Sequence, residues 1–267
     1  MAVSSNAIKS NAKTALQGNW IKASVSSLVL VFAFLFNAYS TSLISIVTGE
    51  IFALIFNYVF LIFMIMPLVF GVLRFFWRLV SVCDDGPISV FYYFSNFNLY
   101  LKTLKFLLRL GLKLLPIVAI VFVPNLIIYV ISQEFIFDLF DIAIPLWTRN
   151  LDLAILFVRT LSDVVIAIFA LKYYISPFLF VANEDLDIDE TLYMSSVVSK
   201  KTTLDFVFLG LSFIGWIIAS VFVIPIVFTL PFMITSYVIH TKTVIAEYNN
   251  HVESKIWDNY PNFSIGV

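Results

Sequence analysis

The sequence predicts an all-α protein, a polytopic transmembrane helical bundle of about six spans with an N-terminal interfacial amphipathic helix. Three observations predict it. Of 267 residues, 61% are hydrophobic and 12% charged, with a mean hydropathy of +0.99; a soluble domain is about 45–50% apolar and about 25% charged. The apolar residues come in long runs, and a helix rising about 1.5 Å per residue needs about 20 of them to cross a core of about 30 Å. Lys and Arg gather in alternate intervals between those runs, as they do when basic loops stay on one side of a membrane.

Residues 1–22 read as the interfacial helix. Ile8, Ala12, Ala15 and Leu16 follow helical spacing, with Lys9 and Lys13 one turn apart on the polar side. Gly18-Asn19 ends that helix, and Trp20 anchors the entry to the bilayer. The six-span bundle then occupies 23–247, opening with spans over 23–47 and 51–73 joined by the tight turn Thr48-Gly49-Glu50. Pro67 and Gly71 predict a kink in the second span, tolerated where a neighbour satisfies the freed carbonyl.

An aromatic and basic segment follows over 74–112. Asp84-Asp85-Gly86-Pro87 is a turn by composition. Phe91, Tyr92, Tyr93, Phe94, Phe97 and Tyr100 predict a short helix in the headgroup layer. The third span is expected from Leu101 to Ile131, an acidic segment carries Glu134, Asp138 and Asp141, and the fourth span covers Leu153–Val181. A polar loop is expected over 183–205. From Phe206 to His240 there is no charge, about 52 Å as one straight helix and too long for one crossing. Pro225 and Pro231 therefore predict two crossings joined near Ile224–Leu230, the second short or tilted. Residues 248–267 form a tail.

With the N-terminus inside, 14 of the 16 Lys and Arg fall on the inner side, leaving Arg149 outside and Arg159 in the outer half of the fourth span. Both termini are thus expected in the cytoplasm of a cell membrane. One cysteine, Cys83, excludes an internal disulfide and a cysteine-based metal cluster. A net charge of −1 without a basic domain argues against nucleic acid as a partner.

From Tyr173 onward, Tyr173-Tyr-Ile-Ser-Pro-Phe-Leu-Phe-Val-Ala-Asn183, then Asp187-Ile188, then Leu211-Ser-Phe-Ile-Gly-Trp216 resembles the hallmark of the bacterial integral-membrane family called domain of unknown function 975. Asn11-Ala-Lys-Thr-Ala-Leu-Gln-Gly-Asn-Trp20 is similar to that family's opening, and Pro67-Leu-Val-Phe-Gly71 to its second-span exit. The resemblance thins over 74–165. It implies a multi-pass protein of Gram-positive-type bacteria with no assigned activity, and supplies no catalytic residues. A more distant likeness links the chain to the membrane domain of some glycerophosphodiester phosphodiesterases; no soluble catalytic domain accompanies it here, so that activity is not carried over.

Ionisable and amide groups inside a membrane are functional candidates. Asn37, Asn57, Asn125, Arg159 and Asp163 fall at a shared depth below the outer surface. They could line a polar pocket in the outer half, with an Arg159–Asp163 ion pair, or serve as interhelical hydrogen bonds. Lys102, Lys105, Arg109 and Lys113 share one helical face and could grip lipid headgroups, or act as topology signals with snorkelling side chains. Asp185, Asp187 and Asp189 imitate the start of a calcium loop, but Glu190 stands where glycine is needed and Ser196 where the bidentate Glu belongs. Asp187 reads better as a helix cap, with Glu190 making the return contact. Gly215 and Ala219 form a small-residue pair suited to close helix packing, within the bundle or in a dimer.

No nucleophile–base motif, metal-ligand motif or nucleotide loop occurs, so the expectation is no enzyme and no cofactor. The leading reading is a non-enzymatic envelope-associated or accessory membrane component. Its partners would be membrane lipids and a membrane protein or a second copy. The alternatives are a transporter or channel-like protein using the outer polar layer, and a lipid-binding or lipid-modifying protein using the inner basic face.

Overall fold

The computed structural model describes residues 4–83, 85–132, 151–220 and 223–259. The expected acidic segment with Glu134, Asp138 and Asp141, and Arg149, lies outside them. Among the described residues every regular element is helical. In order these are α1 (Ser5–Leu16), α2 (Trp20–Thr48), α3 (Glu50–Phe60), a π turn (Leu61–Ile65), α4 (Met66–Val80), a 3-10 helix (Pro87–Phe94), α5 (Phe97–Ser132), α6 (Leu151–Ala170), a 3-10 turn (Leu171–Tyr173), α7 (Ser176–Ala182), α8 (Ile188–Leu211), α9 (Ile214–Ala219) and α10 (Val223–Asn259). Among the described residues five stretches are long and apolar enough to cross a membrane: Trp20–Thr48, Glu50–Val80, Phe97–Leu126, Leu156–Ala182 and Ile188–Ala219. The sequence led to an expectation of six; α10 is not among the five.

The chain divides into two compact units, 1–106 with 175–267, and 107–174. In the second unit, α6 follows the later part of α5, where Pro116 and Pro124 lie inside the helix. In the first unit, α2 and α3 pack as a hairpin turned by Gly49, whose φ of 95° suits glycine. The expected kink near Pro67 takes the form of the π turn immediately before it. Proline at 67 cannot donate to the Phe63 carbonyl, and the Tyr100 hydroxyl donates to it at 3.0 Å. Pro231 likewise frees the Val227 carbonyl, which accepts from Ser24 Oγ at 3.0 Å. Both interruptions are tolerated because a neighbouring helix supplies the missing donor.

Three expectations are corrected. The amphipathic helix α1 is present, with Gly18 turning the chain at φ 79°, but its apolar face is covered by protein. Ile8 and Ala12 pack with Leu209, Phe213 and Ile239, and Leu16 with Phe76 and Val238. The sequence gives amphipathicity without saying whether lipid or protein covers the face. The aromatic segment does form a short helix, Pro87–Phe94, of the 3-10 type. Its three-residue period places Pro87, Val90 and Tyr93 on one side, and Val90 and Tyr93 are fully buried. The polar stretch 183–205 is not a loop: α8 starts at Ile188 and runs unbroken into the apolar run, because Thr191, Ser195 and Ser199 form a buried polar face. The last two helices are divided ahead of the expected Ile224–Leu230: α9 ends at Ala219 and α10 begins at Val223. Pro225 thereby falls in the first turn of α10, where a missing donor costs nothing.

Candidate functional site

The strongest polar constellation closes around Glu184, two residues past α7. Arg74 and Arg78 stand one turn apart near the end of α4, so both guanidinium groups point the same way. Arg74 Nε donates to Glu184 Oε1 at 3.2 Å, and the Tyr92 hydroxyl donates to Oε2 at 2.9 Å. Lys102 Nζ, from α5, donates to the Glu184 backbone carbonyl. The Arg74 guanidinium also lies over the Tyr92 ring, 3.5 Å from its centroid, an arrangement worth about 0.5–2 kcal/mol. Asp85 forms an ion pair with Arg78 and stands 3.9 Å from Arg74. The pair is largely withdrawn from solvent, with the Arg74 side chain 14% exposed and that of Glu184 28%.

An aromatic floor supports this network. Phe70 meets Tyr93, Phe106 and Phe180 edge-on, with centroids 5.2–6.3 Å apart. The floor is reached because Val90 closes on α4 at Gly71: a Cβ on that glycine would lie 1.8 Å from the Val90 carbonyl oxygen. Burial pushes the Tyr93 phenol well above its usual range, reinforced by the nearby Glu184 charge. Tyr92 is raised by burial and by its hydrogen bond to Glu184. Chemically, a carboxylate with both oxygens engaged is a brace rather than a poised general base. It ties together α4, the 3-10 helix, α5 and the exit of α7.

The residues singled out from the sequence fall into separate places. In the first unit Asn37 Nδ2 donates to Asn57 Oδ1 at 2.6 Å. In the second, Asn125 Nδ2 donates to Ser162 Oγ at 2.8 Å and to the Val121 carbonyl at 2.9 Å. Arg159 and Asp163 are exposed on α6 and, contrary to expectation, form no ion pair with each other. Lys102 turns to Glu184, whereas Lys105, Arg109 and Lys113 are exposed. Asp187 caps α8, accepting from the Asp189 N–H at 3.1 Å. Among the described residues no group of three or more His, Cys, Asp and Glu could hold a metal ion. A Cβ on Gly215 would meet nothing within 4 Å, so no described residue closes on that glycine.

The Glu184 brace escaped the sequence reading because its members are 92 and 110 positions apart. The available signal was Arg74-x-x-x-Arg78 shortly before Asp85, together with a carboxylate just past the resembling segment Tyr173–Asn183.

A family model described as "Protein of unknown function (DUF975)" matches residues 1–247. The chain belongs to that family. The Glu184 brace, the Gly71 contact and both donor-supplied prolines lie inside the DUF975 match. No curated protein and no solved structure matches the chain. The five apolar helical stretches among the described residues are those of a membrane protein, and the family description assigns no activity.

Proposed function

We propose that this DUF975 chain is a non-enzymatic, multi-pass component of the bacterial cell membrane, with both termini in the cytoplasm, acting as an accessory to another membrane assembly. The observation that carries the reading is the state of Glu184, whose carboxylate and carbonyl are all engaged by Arg74, Tyr92 and Lys102. This partly buried carboxylate is spent on holding four elements together. Amide groups within the apolar helices are spent the same way, Asn37 on Asn57 and Asn125 on Ser162, as interhelical bonds worth about 0.6–2 kcal/mol each. The cytoplasmic placement rests on the bias of Lys and Arg toward one set of intervals.

The test is purification of the tagged protein from its native membrane after mild cross-linking, with partner proteins identified by mass spectrometry. A stoichiometric membrane-protein partner retained by the parent is the expected result. Solute flux in proteoliposomes of the purified protein, lost on Arg159→Gln or Asp163→Asn, would overturn the accessory reading in favour of transport.

A further inference from the structure

We propose that the last apolar hairpin, α9 and the start of α10, does not cross the bilayer: it enters and leaves one leaflet from the end where α2 begins and α4 finishes, with the acyl chains of that leaflet as its partner. The inference rests on the membrane reading of the apolar helices, and not on which side is cytoplasmic.

The hairpin can be levelled against α2 and α4. These two helices are joined through α3 and the Gly49 turn, so the start of α2 and the finish of α4 lie at the same end of that pair. Trp20 opens α2 and Trp77 lies in the last turn of α4, the tryptophan positions expected at a membrane interface. On the descending leg, Phe228 of α10 packs edge-on against Trp20, with centroids 6.1 Å apart, and the next residue toward the tip, Val227, accepts from Ser24. Further along α10, Lys242 donates to Ser81 and lies 4.7 Å from the Trp77 ring centroid. A crossing helix reaches opposite interfaces with its two ends. Between Phe228 and Lys242, α10 instead joins two interface markers of the same end.

The ascending leg gives the same level independently. Lys9 Nζ donates to the Ser212 carbonyl at 2.7 Å, and its ammonium stands 4.3 Å from the Phe213 ring centroid. A lysine ammonium is held near the headgroups, since its stem can snorkel but its charge resists the core. Phe213 in turn packs on Phe232 of the descending leg, with centroids 5.4 Å apart. From Ser212 to Ala219 a helix rises about 10 Å, and from Phe228 back to Val223 about 8 Å. Both legs therefore turn at the same shallow depth, against a core of about 30 Å. By the same measure α2 extends about 42 Å beyond Trp20.

The hairpin's surface fits that seat. Ile214, Trp216, Ile217, Ile218 and Phe228 are each about half exposed or more, an apolar cover suited to hydrocarbon. Gly215 faces open space among them. The threading then has four full crossings and an inserted wedge, and still returns both termini to the same side.

The test uses the full chain in proteoliposomes and in spheroplasts. Native Cys83 and Thr48→Cys in a Cys83→Ser background report the two ends, and Ser220→Cys in that background reports the tip. A membrane-impermeant maleimide should label Cys83 and Thr48→Cys from opposite sides, and Ser220→Cys from neither. Spin labels at positions 214, 217 and 220 should show oxygen collisions rising toward 220 while collisions with a water-soluble nickel chelate fall. Labelling of Ser220→Cys from the Thr48 side would overturn the wedge alone. Thr48→Cys and Cys83 reacting from one side would overturn the threading, and the wedge with it.

Discussion

The Tyr100 hydroxyl donates to the Phe63 carbonyl, the group that Pro67 leaves without its helical donor. Ser24 does the same for the Val227 carbonyl beneath Pro231. Proline at these two sites is stable only in company: each interruption is completed by a side chain from another helix. We expect Tyr100→Phe and Ser24→Ala each to lower stability in detergent by about 1–2 kcal/mol, the cost of leaving a polar group unpaired. Their effects should add, because the sites share no partner. Replacing Pro67 by Ala in the Tyr100→Phe background should restore most of the loss; no recovery would show that the hydroxyl acts by packing.

Gly71→Ala is expected to be the most damaging single-methyl change in the chain. The added carbon would stand 1.8 Å from a backbone oxygen of Val90, which has no rotamer to move. Gly111→Ala, on a helix with nothing within 4 Å, should be neutral or stabilising by up to about 1 kcal/mol. Yield of monodisperse protein and thermal unfolding of the two variants side by side provide the comparison.

Removing the Glu184 carboxylate should cost more than removing that of the neighbouring Asp185. Glu184→Ala strands Arg74 and the Tyr92 hydroxyl at once, whereas Asp185 donates only its backbone N–H to Asn183. A double-mutant cycle between Arg74→Met and Glu184→Gln should return a coupling of about 1–3 kcal/mol, in the range of charge-assisted hydrogen bonds. A coupling near zero would remove the brace from the account of this fold.

Tyr93 sets a ceiling on alkaline stability. Its folded-state value is raised, so the neutral phenol is favoured by folding. The stability linked to it is fully present below the unfolded value of about 10 and is lost as pH rises toward the folded value. Phenolate absorbance of the parent minus that of Tyr93→Phe should therefore appear only together with unfolding. A difference signal titrating near 10 with the fold intact would contradict the burial.

Lys9→Ala should free α1 without unfolding the rest. The ammonium donates to the Ser212 carbonyl at the C-terminal end of α8, where a cation is favoured by the helix dipole, and covers Phe213. Hydrogen exchange over Ser5–Leu16 should accelerate while α2–α4 stay protected. Lys9→Arg should retain most of the protection, as it keeps both charge and reach.

Helical class, the ends of α2, the Gly49 turn and the cap at Asp187 were legible because each depends on neighbours in sequence: an apolar run, a glycine, an acid before Ile188. The destination of the apolar face of α1 was not, since Ile8 and Leu16 look the same whether lipid or Phe213 and Phe76 lies against them. Residues 183–205 misled for a related reason. Serine and threonine lower the hydropathy of a stretch, yet Ser195 and Ser199 are buried side chains of a continuous helix. Asn37 and Asn125 were recognisable as polar groups in apolar surroundings, but their partners, Asn57 and Ser162, lie on neighbouring helices. Arg74 was read for its charge alone, because nothing local announces a carboxylate 110 positions later.

Two bonds of the first unit, Lys9 to Ser212 and Ser24 to Val227, each close a separation of 203 residues. A ribosome adding about 5–20 residues per second makes the second partner some 10–40 s after the first. For that interval the newborn α1 has no Phe213 to lie on and the head of α2 has no Val227 to serve. The protein's beginning must be kept from aggregation or degradation until its end has been synthesised, so a chain halted before position 212 would present an unmated amphipathic helix to the cell's quality-control machinery.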